Sequence, residues 1–454
     1  MKTMFVLKSL IGCGALALMF GGACSAWAAA TPEELARLGK DLTPVGAEVA
    51  GNADGSIPAW TGGLKTPPPG FSPEKGYIDP FADEKPLYTI TAANADSYQD
   101  KLAPGSYEML KRYPNTFRMH VYPSHRTAVL PQVEYDRVKQ EAGAAQLTPS
   151  GTGIDNVVNS TVPFPLPKSG LEVMWNHILR YRGGTVHRYS SMFPVQSGGS
   201  FTAVKREEWL AWAAALGNPD PNRHSYYLNL VRGPSSMAGE ALLVHDSRDH
   251  AKDERRAWSY NPGLRRVLRA PEVAHDAPAQ NSDGLATSDD YDGFNGSPER
   301  FDWKLIGKKE LLIAYNNYRL NDRSLKYAEI IQPNHLNQDL VRYEPHRVWV
   351  VEGTLKPGAR HIYAKRVFYI DEDSWQVAEA DEYDGRGELW RVHILHAIQF
   401  YDANVPWIAN DAVYDLQARR YIVNAMTNEE KPTTFGEKQS FSMYSPDNLR
   451  RVGN

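Results

Sequence analysis

Leu389-Trp390-Arg391-Val392-His393-Ile394-Leu395-His396-Ala397-Ile398-Gln399-Phe400 is the stretch whose reading decides the fold. Trp390, Val392, Ile394, Ile398 and Phe400 alternate with Arg391, His393 and Gln399. That period of two belongs to a β-strand with one apolar face, because successive side chains leave a strand on opposite sides. In the preceding segment Ile362, Ala364, Phe368 and Ile370 share a face, broken by Arg366. Residues 348–351 are apolar on both faces, as a central strand requires. Lys356-Pro357-Gly358 and Asp384-Gly385-Arg386-Gly387 stand between these runs and carry turn chemistry. Strands joined by short turns are antiparallel neighbours, so residues 339–423 are expected to form an antiparallel meander of about five strands.

Toward the N-terminus, residues 226–231 and 240–246 read as strands, and 256–260 with 265–268 as a hairpin around Asn261-Pro262-Gly263. Residues 207–217 suit helix or strand, and 271–299 are polar and Asp-rich, which predicts a long loop. Ahead of residue 171 the pattern changes. Thr31-Pro32-Glu33-Glu34 has the chemistry of a helix start with a capping box. Residues 42–81 are rich in Pro and Gly, yet hold Trp60, Phe71 and Tyr77. A free linker has no use for such aromatics, so an arm laid over the domain is expected. Helices are expected within 91–113 and 131–146.

The first residues have the layout of a secretory signal: Lys2 and Lys8, an apolar run from Ser9 to about Phe20, then the small-x-small triplet Ala26-Trp27-Ala28. This predicts residues 1–28 as a signal peptide, 29–170 as the arm and helices, 171–454 as the strand-rich domain, and a periplasmic location. Cys24 follows small residues, but Gly21 stands where a lipoprotein signal prefers Leu, so lipidation is the lesser expectation. Both cysteines, Cys13 and Cys24, fall in the signal, and a mature chain without disulfides must be stabilised by its core. The net charge of −4 offers no basic face for nucleic acid.

Motifs for chemistry are sparse. There is no G-x-S-x-G, no phosphate-binding Gly-rich loop and no H-E-x-x-H. Ser72-Pro73-Glu74-Lys75 matches S-x-x-K only by letter, in a Pro-rich stretch. His245-Asp246 and Asp249-His250 have zinc-ligand types but read as a solvated turn. Asp290, Asp292, Gly293 and Glu299 fall at calcium-loop positions, yet Ser288 replaces the first acid and Pro298 breaks the exiting helix. Asp371-Glu372-Asp373 falls at an expected hairpin turn, where solvated acids are ordinary. No enzyme activity, metal or cofactor is therefore expected. The apolar strand faces are either core, filled by helices, or the wall of a site for an acyl chain.

Several long motifs resemble one family. Gly51-Asn52-Ala53-Asp54-Gly55-Ser56-Ile57-Pro58-Ala59-Trp60-Thr61-Gly62-Gly63 looks like the opening signature of domain of unknown function 1329. Trp175-Asn176-His177, Arg180-Tyr181-Arg182-Gly183, Phe294-Asn295-Gly296, Asp302-Trp303-Lys304, Arg347-Val348-Trp349-Val350-Val351 and Tyr369-Ile370-Asp371-Glu372-Asp373-Ser374-Trp375 extend it over nearly the whole mature chain. Residues 258–267 are also similar to outer-membrane lipoprotein-sorting proteins of the LolA/LolB type. The resemblance implies an α+β fold: a large antiparallel sheet curved into an unclosed barrel with covering helices. It also implies a carrier or adaptor for a lipid or other hydrophobic cargo, with an RND-type exporter and an outer-membrane protein as partners, and supplies no catalytic residues. Trp349, Val351, Phe368, Trp390, Val392 and Ile394 are the expected wall, and Trp258 and Tyr260 the expected mouth. A non-catalytic envelope adaptor with a filled core is the alternative, and a hydrolase with an unrecognised acid pair a third.

Overall fold

The computed structural model describes Met1 and residues 30–217 and 220–453; the expected signal peptide, with Cys13 and Cys24, lies outside the described residues. Two short strands, β1 (Tyr88–Ile90) and β2 (Met119–Val121), and a small hairpin of β3 (Gln146–Leu147) and β4 (Ile154–Asp155) come first. The first run of long strands is β5 (Thr185–Val195), β6 (Val204–Trp212), β7 (Arg223–Gly233), β8 (Ala241–Ser247), β9 (Arg256–Asn261) and β10 (Arg266–Arg269). The second is β11 (Phe301–Ala314), β12 (Tyr343–Leu355), β13 (Lys365–Asp371), β14 (Val377–Tyr383), β15 (Leu389–Phe400), β16 (Val405–Asp415) and β17 (Arg420–Met426), followed by the short β18 (Thr434–Phe435).

The two runs merge into one curved sheet. Its order is β11 to β17 and then β5 to β10, every neighbour antiparallel, with β1, β2 and β18 as short additions. Strands β10 and β11 end this array unpaired with one another, so the barrel is unclosed. The meander expected at 339–423 is β12 to β16 with most of β17. The ambiguous segment 207–217 splits into the end of β6 and a short 3-10 turn, Ala213–Leu216.

Both faces of the sheet are covered. On the inner face, register aligns Val351, Phe368, Ala380, His393, Val413 and Ile422 across six strands. Helix Gly170–Leu179 packs there with all ten residues buried. Its sequence is apolar nearly all round, as a core helix must be, and Ser169 caps it by accepting from the Glu172 N–H at 3.2 Å. A Cβ on Gly170 would meet the Lys304 carbonyl carbon at 2.9 Å, so the glycine lets the helix touch β11. On the outer face Val392, Ile394, Ala412 and Tyr414 pack with Met109 and Leu110 of helix Pro104–Arg112. The Pro-rich arm lies on the domain, as its aromatics predict: Tyr77 packs edge-on against Phe400 at 4.9 Å and donates to Asp402 at 2.9 Å.

The start of helix Pro104–Arg112 meets two buried acids of β14. Glu379 accepts from the Ser106 N–H at 2.8 Å and its hydroxyl at 2.6 Å. A Cβ on Gly105 would fall 2.1 Å from an Asp381 oxygen. Burial, and the nearness of the two carboxyls, raise Glu379 well above its ordinary range; burial above all pushes Asp381 up to about 7. The pair is favoured with a proton on it, so its contribution is complete at low pH and is lost as pH rises through about 7. The melting temperature should therefore fall between about pH 5 and pH 8, and Asp381→Asn, which keeps a hydrogen bond without the second charge, should flatten that fall. Parallel melting curves for parent and variant across this interval would refute the assignment.

Candidate functional site: a lidded cavity inside the half-barrel

Helix Gly170–Leu179 covers the inner face chiefly beside β11 and β12. Over β5 to β8, β16 and β17 the face borders a cavity with about 1090 Å³ of atom-free space, counting its open mouth. Some 110 Å³ of this admits the centre of a water-sized sphere, against the roughly 10–15 Å³ that one water needs. Leu210, Leu242, Val244, Val413, Trp407 and Ile408 supply apolar wall. The roof is the chain between β10 and β11, which contributes Val273, Ala279, Ala286, Tyr291 and Asn295.

This roof is the segment expected as a long polar loop, and it is one, broken only by short 3-10 turns, yet Asp289, Asp290 and Asp292 are each at most 3 % exposed. Their partners explain the burial. Arg180 and Arg182 both bind Asp292, the latter at 2.5 Å, and Trp407 Nε1 donates to it at 3.1 Å. Arg366 pairs with Asp290 at 2.6 Å and with Asp289 at 3.1 Å, and His361 lies 3.0 Å from Asp289. Burial opposes the charge on Asp292, but the two guanidiniums prevail and hold it well below the usual carboxylate range. Asp290 and Asp292, two of the positions with calcium-loop spacing, are thus arginine ligands, while Glu299 faces His275 at 3.2 Å. The motif Trp175-Asn176-His177 with Arg180 and Arg182 is the link between plug and roof: Asn176 brackets Phe164 by accepting its N–H at 2.9 Å and donating to its carbonyl at 2.7 Å, while Arg180 and Arg182 reach the roof.

The polar part of the wall lies on β5 to β7. Glu208 accepts from Arg188 Nε at 3.0 Å and from the Tyr227 hydroxyl at 2.6 Å. Burial works against this carboxylate, and Arg188 and Arg206 overcome it, bringing it down to about 2. Arg188 also stacks over Trp407 at 4.7 Å. Burial pushes the Tyr291 hydroxyl up to about 12.

The residues expected to form wall and mouth are dispersed. Val351 and Phe368 are on the inner face but buried in the core around the plug helix. Trp349 stacks on Trp375 at 6.1 Å, with Lys308 over its ring. Val392 and Ile394 are on the outer face, under helix Pro104–Arg112. Trp390 donates to Asp415 at 3.0 Å and packs against Tyr363. Trp258 and Tyr260 belong to an outer cluster with Tyr444 and Leu449 of the C-terminal segment. None of the eight borders the cavity. Arg188, Arg206, Tyr227, Tyr291 and Trp407, which do, were not anticipated; Arg188 on β5 and the run Lys205-Arg206-Glu207-Glu208 on β6 were the available signal.

Two acid-bearing clusters are also placed. His245 and Asp246 point to opposite faces, His245 toward the Tyr444 carbonyl at 2.7 Å and Asp246 toward Arg255 at 2.6 Å, so they do not converge on a metal. Asp371-Glu372-Asp373 is buried rather than solvated, because Arg126, which follows β2 and donates to the arm's Glu48 carbonyl at 2.7 Å, forks onto Asp373 at 2.8 and 2.6 Å and Lys308 reaches Glu372 at 2.7 Å. His346 stands close enough to Asp371 and Asp373 for one ion, within 4.8 Å, but leans on Glu344 at 3.2 Å. Burial, reinforced by Asp373, raises Asp371 to about 6.

These observations define the class: an unclosed antiparallel half-barrel, plugged at one end by a helix and roofed over an internal cavity at the other. The chain belongs to the family of proteins of unknown function DUF1329, which matches residues 89–450. It is 50% identical over 452 residues, 98% of this chain and 99% of the relative, to the uncharacterized protein PA3922 of Pseudomonas aeruginosa. A putative outer membrane lipoprotein-sorting protein domain from Vibrio parahaemolyticus is similar in structure (TM-score 0.44, 15% identity, 62% of this chain and 98% of that one). So are a DUF1329 family protein from Desulfovibrio piger (0.42, 16%, 59% and 92%) and the LolA superfamily protein NE2245 from Nitrosomonas europaea (0.39, 10%, 62% and 100%). Among the described residues no helix is long and apolar enough to cross a membrane.

Removing the acid that ties roof to plug leaves two guanidiniums buried without a counter-charge. Asp292→Asn should cost about 3–5 kcal/mol, read as a lower urea midpoint; an unchanged midpoint would mean that the roof is held by something else.

Proposed function

We propose that this protein is a periplasmic carrier that shelters a lipid or lipid-like molecule in the roofed cavity. One observation carries the reading: the inner face is densely filled by its own helix at one end and left hollow at the other, between apolar walls. Sites for small ligands are mostly apolar, with a few placed polar groups. Each buried methylene contributes about 0.8 kcal/mol, so a 16-carbon chain would gain roughly 10 kcal/mol before ordering costs. In this reading the protein is exported by its first 28 residues, performs no catalysis, and passes cargo between an RND-type inner-membrane exporter and an outer-membrane partner. The second reading, an envelope adaptor with a filled core, draws on the fully buried plug helix.

The reading is tested by mass spectrometry of organic extracts from natively purified protein. A bound acyl species is expected, and Leu242→Trp together with Ala286→Trp, which fill the cavity from wall and roof, should abolish it while leaving the fold intact by circular dichroism. A clean extract, with no uptake of a fluorescent fatty acid by the parent protein, would favour the adaptor.

A further inference from the structure

The cavity wall carries as many arginines as aspartates, but one arginine is left out of the pairing. Four arginines and four aspartates border it: Arg182, Arg188, Arg206 and Arg255, and Asp246, Asp290, Asp292 and Asp411. Every one of these acids is already engaged. Asp246 pairs with Arg255, Asp290 with Arg366, and Asp292 with both Arg180 and Arg182. Asp411 lies 2.9 Å from His393 Nε2 and accepts from Asn424 at 3.0 Å. Arg188 takes Glu208, just behind the wall. Arg206 is left: it feels the Glu208 charge at a distance, but no ion pair or hydrogen bond to it is formed among the described residues, and its Nε is buried without a partner. The two oxygens of Glu208 are occupied by Arg188, Ser190 and Tyr227. The Tyr291 hydroxyl, on the roof of the same cavity, is likewise buried without a partner. The Nε of a half-buried cation and a buried hydroxyl, neither with a partner in the protein, thus border one mostly apolar space, where a buried polar group without a partner is costly.

We infer that the cargo is an anionic amphiphile, whose acyl chain lies against Leu210, Leu242, Val244 and Val413 and whose carboxylate or phosphate head accepts from Arg206 and the Tyr291 hydroxyl. The inference rests on the carrier reading and narrows it to acidic lipids. Neutral lipids of the same chain length lack the group that these donors require.

The test compares ligands that share one chain. Binding of oleate, 1-oleoyl lysophosphatidate and methyl oleate to delipidated full-length protein is measured by displacement of a fluorescent fatty acid. The acids should bind roughly ten- to a hundredfold more tightly than the ester, the margin of a hydrogen bond to a charged group. Arg206→Gln should erase that margin, and Arg206→Lys should restore part of it; Tyr291→Phe should reduce it. A preference for oleate or for lysophosphatidate assigns the head as carboxylate or phosphate. Equal binding of acids and ester by the parent protein would overturn the anionic assignment and leave the carrier standing. Failure of all three to bind would overturn both.

Discussion

The inner face of this sheet is wider than its own helix can cover, and much of the rest follows from that mismatch. Sixteen strands form the sheet, and removing the three short additions leaves a continuous antiparallel array of thirteen. At about 4.8 Å per strand such an array spans roughly 60 Å of arc, whereas a ten-residue helix is only about 15 Å long and 10–12 Å across. Helix Gly170–Leu179 therefore fills the end beside β11 and β12, and the other end must be finished differently. The chain finishes it with a roof whose polar residues are bound to arginines, because a coil segment folded inward brings polar groups that need partners.

The architecture was largely legible in the sequence, because strand periodicity reports burial one side chain at a time. β15, β9 and β10 sit where alternation and turn residues put them. The site was not legible, for two reasons. Periodicity says which residues share a face, but not which face turns inward: Val392 and Ile394 share one, and it is the outer one. Composition also says nothing of how the roof is buried. Asp289, Asp290 and Asp292 look like solvated loop residues until Arg180, Arg182 and Arg366 arrive from elements more than 70 residues away in the chain. The same long-range pairing buries Asp371-Glu372-Asp373 through Arg126 and Lys308.

The family motifs acquire a physical meaning from this arrangement. Trp175-Asn176-His177 and Arg180-Tyr181-Arg182 build the plug and its grip on the roof, and Asp371-Glu372-Asp373 anchors the arm. They are the parts that hold a hollow open by fixing everything around it. The strand residues that border the hollow come from β5 to β8, β16 and β17, which the matching motifs scarcely touch; the motifs reach it only through Arg182 and the roof's Asn295.

The roof runs between β10 and β11, the two strands that leave the barrel open, so the gap is spanned by a seam of side chains and not by a ladder of backbone hydrogen bonds. A barrel sealed by strand pairing would have to unzip to admit anything bulky. Here widening the gap would cost side-chain contacts, the Asp292 ion pairs among them, and would leave every strand with its hydrogen-bonded neighbours.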